Sequence, residues 1–391
     1  MGEPELELEA LVAQARAATG LEDLGEPTWR EGLGRLVESL REEARLHELG
    51  RTFVAADLVS YLTTRLGIVE WRRCHPEIAR VPVTPPIVIV GQGRTGTTIL
   101  HDLLAQDPAT RAPLTWEVDQ PCPPPETATW ESDPRIAQAQ ARSDLTEQLI
   151  PGFRAIHPSG ARLAQECVRI TGGEFRSVIF PTQFRVPAYG RWAIHEADMA
   201  PAYRWHRCFL QHLQSRHPAR RWVLKSPGHI WCLGALLAAY PDALLVQTHR
   251  DPLRIVASVA SLIATLRRLA SAESSIPEVA AEWADYLLDG LDRSVAARED
   301  ATVPRDRVVD LHFAAFMADP FATIREVYER LGLELTREAE ARMRAFWAAN
   351  PVDKHGRHRY RFADTGLDAG ELRERARRYQ SYFDVPSEAL P

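Results

Sequence analysis

No apolar run in the 391-residue chain approaches the roughly 20 residues that a membrane-spanning helix needs, so no membrane span is expected. Cysteine is scarce. Cys74, Cys122, Cys167, Cys208 and Cys232 are scattered, odd in number and never spaced as C-x-x-C. That pattern excludes a disulfide framework and a structural zinc site, and it reads as reduced, mostly buried thiols in a cytoplasmic protein. An excess of positive charge is also missing: 47 Lys and Arg stand against 53 Asp and Glu, a formal net charge of -6. Such a chain is not built to coat a polyanion, and no nucleic-acid partner is expected. The acidic opening MGEPELELEALVAQ does not read as a secretory signal, and Leu6 stands where an N-myristoylation signal would need Ser or Thr. Internal repeats and low-complexity tracts are absent as well. What remains is ordinary globular composition, 45% hydrophobic and 26% charged, in a length that suits one large α/β domain or two modest ones.

Residues 1–80 carry helical periodicity. Leu6, Leu8, Leu11 and Val12 form one apolar stripe, Leu36, Leu40 and Leu46 extend the spacing, and Phe53 to Trp71 carries another amphipathic pattern. The expectation is a helical N-terminal extension packed on an α/β domain of residues 81–391. After VPVTPP, the run Ile87 to Val90 predicts a buried strand, followed by a Gly-rich turn and a helix from about Gly96 to Gln106. A Pro-rich loop occupies 121–135, and 136–220 is helix-rich. A strand–helix rhythm then returns: strands at 222–226, 243–249 and 308–312, helices at about 229–240, 252–269 and 320–331. Short apolar strands alternating with helices predict a parallel sheet covered on both faces.

The sharpest local pattern is IVIVGQGRTGTTILHDLL. A strand ending in a Gly-rich turn that opens a helix presents unpaired backbone N–H groups and the positive end of the helix dipole to an anion. Thr95, Thr97 and Thr98 add hydroxyls, and Arg94 adds a planar, permanently charged fork. Gly91, Gly93 and Gly96 also spell the dinucleotide fingerprint, but the stretch after the helix, LTWEVDQPCPPP, is a poor second strand. The nucleoside-triphosphate loop would need Lys where Thr97 stands, which argues against ATP or GTP hydrolysis. A Gly-rich turn can also exist without a ligand, although such a turn does not need Arg94 or the threonines.

A second strand-to-helix turn, LLVQTHRDPLRIVASVASL, puts Arg250 at a strand's C-terminal end, where open α/β sheets bind ligands, and Ser258 eight residues later. Together the two segments resemble the sulfotransferases that use 3′-phosphoadenosine 5′-phosphosulfate (PAPS), in particular their broad bacterial branch. WVLKSPGH and VVDLHFAAFMADPFATIREVYERLGL strengthen the likeness, which spans roughly 85–362. The resemblance implies a P-loop-like parallel sheet flanked by helices. It implies that Gly93, Arg94, Thr95, Gly96, Thr97 and Thr98 hold the 5′-phosphosulfate and that Arg250 and Ser258 hold the 3′-phosphate. It also implies that Lys354, His355, Gly356 and Arg357, in a basic lid of residues 350–362, close over the product, 3′,5′-ADP (PAP). Arg94 replaces the lysine usual in the small-molecule branch. It cannot release a proton, so it would act as an electrostatic clamp.

The implied reaction moves a sulfuryl group to a hydroxyl or amine of a small-molecule or lipid-like acceptor. It needs in-line geometry, cations on the leaving phosphate and a general base. Lys225, at the end of WVLKS, is expected in the clamp beside Arg94. Glu117 is the first choice for the base, because the tyrosylprotein and heparan-type branches place a glutamate at a similar remove from the first loop. His157 is second, and Glu166 and His229 follow. Pro227 stands where the small-molecule branch carries its histidine. No H-x-x-H or carboxylate cluster demands a metal. The competing readings are a kinase-type nucleotide transferase, a dinucleotide-dependent oxidoreductase and a non-catalytic PAP- or PAPS-binding protein. Neither the acceptor's identity nor the oligomeric state can be read from these residues.

Overall fold

The computed structural model describes residues 6–351, 354, 356 and 358–390. Four strands form one parallel sheet: β1 (Ile87–Val90), β2 (Val223–Lys225), β3 (Leu244–His249) and β4 (Val308–His312), in the order β2-β1-β3-β4. The β-branched run IVIV is buried at every position. β1 is hydrogen-bonded on both sides, with Ile89 opposite Lys225 and Val90 opposite Gln247. Alternation sorts its side chains. Val88 and Val90 join a core with Trp222, Leu224 and Leu245, whereas Ile87 and Ile89 join one with Leu103, Val246 and Leu311. Both faces are therefore covered, as the near-continuous apolar strands require.

Strand–helix connections bring each strand's C-terminal end to one edge. The turn after β1 enters the helix Thr97–Leu104, and that after β3 enters Pro252–Arg267. Pro252 occupies the first turn of the latter, where no N–H is needed, and Asp251 caps it by accepting from Leu253 N at 2.9 Å. The expected helix at 229–240 divides into a 3-10 turn, Pro227–Trp231, and a helix, Leu233–Ala239, because Pro227 and Gly228 do not sustain a longer one. LTWEVDQP contains a helical turn, Thr115–Asp119, and no strand, so the dinucleotide architecture does not form. The 24-residue helix Ile276–Glu299 was not anticipated.

The helices Leu8–Thr19, Trp29–Glu42 and Glu48–Cys74 share one apolar core with Phe175, Phe180, Tyr189 and Trp192. Glu48–Cys74 is long and apolar enough to cross a bilayer by length and composition, yet Val54, Leu58, Leu62 and Leu66 are spent on that core. The expectation that the cysteines are mostly buried is corrected. Cys167 is buried, Cys74 is exposed on a helix end, and the other three are half-buried; all five are free thiols.

Candidate functional site

Backbone geometry shapes the turn after β1. Gly91 has φ +131°, and a Cβ there would lie 2.4 Å from Thr248 Oγ1; Gly96 has φ +88°. Arg94 also takes a left-handed φ, +73°, without being glycine, a strained choice that persists only where surroundings over-determine it. Thr95 is fully buried and pins the turn, bonding to Gln92 O at 2.7 Å and to Thr248 Oγ1 at 2.6 Å. Among the described residues no side chain caps the helix that starts at Thr97, and N–H groups at such a helix start suit an anion.

The turns after β1 and β3 meet. Arg94 Nε donates to Ser258 Oγ at 3.0 Å and its Nη1 to Ile156 O at 2.8 Å, while Arg250 Nη1 donates to the carbonyl of Arg94 at 3.0 Å. Burial, with the like charge of Arg250 beside it, lowers the Arg94 pKa from its ordinary value. Like charges that feel each other in this way would be relieved by an anion. Sequence reasoning missed two of their neighbours. Phe313 lies under the Arg250 guanidinium at 4.0 Å from ring centroid to Cζ, and Arg254, one turn further along the helix, points to the same region. The i, i+4 spacing of the arginines was a readable signal for the second.

Beside this cluster, Lys225 ends β2 with only 1% of its surface exposed. Its Nζ donates to Thr98 Oγ1 at 3.2 Å and pairs closely with Glu166. Burial would raise the Glu166 carboxyl, but Lys225 and His157 outweigh it and hold it well below the usual range. His157 Nε2 stands 3.7 Å from Glu166 Oε1, and its Nδ1 lies 3.0 Å from Pro158 O. Lys225 and Lys354 are the only lysines in the chain. Lys354 and Gly356 line one cavity with Thr98, Asp102 and Trp347. His355 and Arg357, also expected there, lie outside the described residues. His358 Nε2, further along the lid, meets Ser261 Oγ at 3.0 Å.

The structure does not bring Glu117, the first choice for the base, into this site. Glu117 is fully buried and its oxygens are committed. Oε1 accepts from Arg111 Nη2 at 2.6 Å and Trp130 Nε1 at 2.9 Å, and Oε2 accepts from Leu114 N at 2.9 Å. Its partner Arg111 bonds through its backbone to Arg221 and Val223, at the start of β2, the opposite end of the strand from Lys225. The spacing from Arg94 that suggested Glu117 measures chain length, and the helix Thr97–Leu104 carries the chain away from the site. His229 is also diverted. It is 2% exposed, burial pushes its pKa down to about 3, and its Nδ1 meets Tyr203 Oη at 2.7 Å in a separate cavity lined by Ser226, Met199 and Trp231.

A family model described as "Sulfotransferase family" matches residues 85–337. Among solved structures, the chain is similar to sulfotransferase STF9 from Mycobacterium avium, with TM-score 0.89 and 30% identity over 100% of both chains. It is also similar to sulfotransferase STF1 from Mycobacterium tuberculosis, with TM-score 0.85 and 33% identity, covering 96% of this chain and 99% of that one. A curated relative, the omega-hydroxy-beta-dihydromenaquinone-9 sulfotransferase of Mycobacterium tuberculosis, is 26% identical over 273 residues. That match spans 64% of this chain and 63% of the relative's length.

Proposed function

The chain belongs to the sulfotransferase family, and from that premise we propose that it transfers a sulfuryl group from PAPS to a hydroxyl on a lipid-like acceptor, with His157 as the proton acceptor. The observation that carries the reading is the meeting of the two turns: Arg94 bonded to Ser258, and Arg250 bonded to the carbonyl of Arg94. A nucleotide with phosphates at both ends of its ribose suits such a pair of anion sites. The residues fit PAPS on a further count, since the helix start at Thr97 has no side-chain cap and Thr98 stands beside a buried lysine.

When bound, PAPS supplies the sulfuryl group and its phosphate is the leaving group. Lys225, Arg94 and the N–H groups at Thr97 and Thr98 neutralise negative charge on the departing phosphate oxygen, with fixed donors that need no reorganisation. The acceptor hydroxyl forms the new S–O bond and gives its proton to His157. A carbonyl can only accept, so the contact with Pro158 O puts the proton of the neutral ring on Nδ1 and leaves the Nε2 lone pair free. Glu166, 3.7 Å from Nε2, then stabilises the imidazolium while it also balances Lys225. Its own depressed pKa makes it a poor proton acceptor, so it orients and stabilises.

For the acceptor, the supporting feature is a trough of about 490 Å³ walled by Phe53, Leu145, Leu149, Phe184, Leu266 and Leu269. Leu145 and Leu149 are among the few large apolar side chains left exposed. Arg169, on its floor, follows Glu166 by one helical turn. The curated relative is an omega-hydroxy-beta-dihydromenaquinone-9 sulfotransferase, and a hydroxylated apolar acceptor is the kind this trough would take. The test is calorimetry with PAP together with turnover of a hydroxylated polyprenyl quinone. Arg94→Ala should lose PAP affinity about a hundredfold with the fold intact. Unchanged affinity would end the nucleotide assignment.

A further inference from the structure

The segment after the helix Ala369–Tyr382 returns to the anion site, and nothing in the local sequence requires it to do so. Val385 is 5% exposed and exchanges two hydrogen bonds with Gln380: its N–H donates to the Gln380 carbonyl at 2.9 Å, and its carbonyl accepts from Gln380 Nε2 at 3.0 Å. Asp251, the cap of the helix that carries Ser258, is also the anchor for this segment. Its carboxylate accepts from Glu388 N and from both terminal nitrogens of Arg373, each at 2.6 Å. Glu388 is thereby set against Arg250. Oε1 accepts from Nε at 2.9 Å and Oε2 from Nη2 at 3.1 Å, a two-point fork along the side of the guanidinium.

A guanidinium has five N–H donors. Glu388 takes one from Nε and one from Nη2, and the Arg94 carbonyl takes one from Nη1. Among the described residues, one N–H on each terminal nitrogen is left over, available to a phosphate. Phe313 holds the plane from below at 4.0 Å. The guanidinium is thus fixed on its side edge, on one face and at one terminal nitrogen before any ligand arrives. The carboxylate does not cancel the site's charge, because it also faces Arg254 Nε at 3.5 Å. The two guanidiniums of Arg250 and Arg254 against one carboxylate leave a net positive charge for an anionic phosphate.

We propose that Glu388 is a positioning residue for Arg250 and sets the enzyme's preference for nucleotides that carry a 3′-phosphate. The inference rests on the reading that Arg250 binds that phosphate. An arginine free to swing loses rotamer entropy on each binding event, whereas one already clamped does not.

The test is calorimetry of the full chain with PAP and, separately, with 5′-AMP, which lacks the 3′-phosphate. Glu388→Gln keeps the size of the side chain but cannot accept from both nitrogens. It should weaken PAP about tenfold and leave 5′-AMP unchanged, and the KM for PAPS should rise with kcat held. Glu388→Asp should recover part of the loss. Arg250→Ala separates the two readings. If it leaves PAP affinity intact, the assignment of Arg250 to the 3′-phosphate falls. If Arg250→Ala weakens PAP while Glu388→Gln binds it equally or more tightly, the positioning role alone falls, and tighter binding would make Glu388 a competitor for the phosphate site. Equal losses of PAP and 5′-AMP in Glu388→Gln would reduce the residue to general support of the fold.

Discussion

Two glutamates stand beside buried cations at opposite ends of β2, and they differ in what each carboxylate has left to do. Glu117, paired with Arg111 at the strand's start, is 0% exposed and also accepts from Trp130 and Leu114. Glu166, paired with Lys225 at the strand's end, keeps 17% of its side chain exposed and shares its charge with the partly exposed ring of His157. A carboxylate whose lone pairs are satisfied in a closed interior stabilises structure, because breaking such a pair strands a buried charge. One that borders a cleft with a histidine can respond to a proton. Residue type and a buried cationic partner are common to both; exposure separates them.

That contrast can be broken in four ways. The largest expected effect is that of His157→Ala, which should lower kcat roughly 10²- to 10⁴-fold while PAP binding stays within twofold; a near-normal rate would return the search for the base to the cleft. Glu117→Gln should cost about 3–5 kcal/mol of unfolding free energy in a denaturant titration, because it leaves the Arg111 charge in the interior. Its folded fraction should turn over at the wild-type rate, and a catalytic defect at full folding would restore Glu117 as a candidate base.

Glu166→Gln should show the inverse profile: a loss in kcat of roughly 10- to 100-fold with a smaller loss of stability, read by the same two assays. The smallest effect concerns His101 and His229, both buried. Burial pushes both to about 3, so the native state keeps them neutral while the unfolded chain protonates them below about 6.5. Their contribution to stability is complete above that pH and is lost as pH falls toward 3. The melting temperature should drop by about 3–8 °C between pH 7.5 and pH 5. A flat profile would mean that these rings take protons in the folded state.

The α/β class, the four strands and the turns at Gly91–Thr98 and Arg250–Ser258 were legible because each depends on local chemistry: apolar β-branched runs, glycine where φ is positive, proline and Asp251 at a helix start. The clamp residues could be named for the same reason, since each lies within a few residues of a strand end. The placement of Glu117 was not legible, because counting from Arg94 assumes that chain distance tracks position in space, and the helix Thr97–Leu104 intervenes. Glu166 and His157 were visible only as candidates among several, since neither lies in a turn that dictates where its side chain goes.

Sequence alone determined the two strand-to-helix turns at Gly91–Thr98 and after His249, because backbone conformation at such a turn is set by its immediate neighbours. Tertiary structure decided which carboxylate meets which cation around the turns: Glu166 with Lys225 across 59 residues, Glu388 with Arg250 across 138. Charges pair with whatever the folded core places within a few ångströms, and that proximity comes from helix packing between segments far apart in the chain.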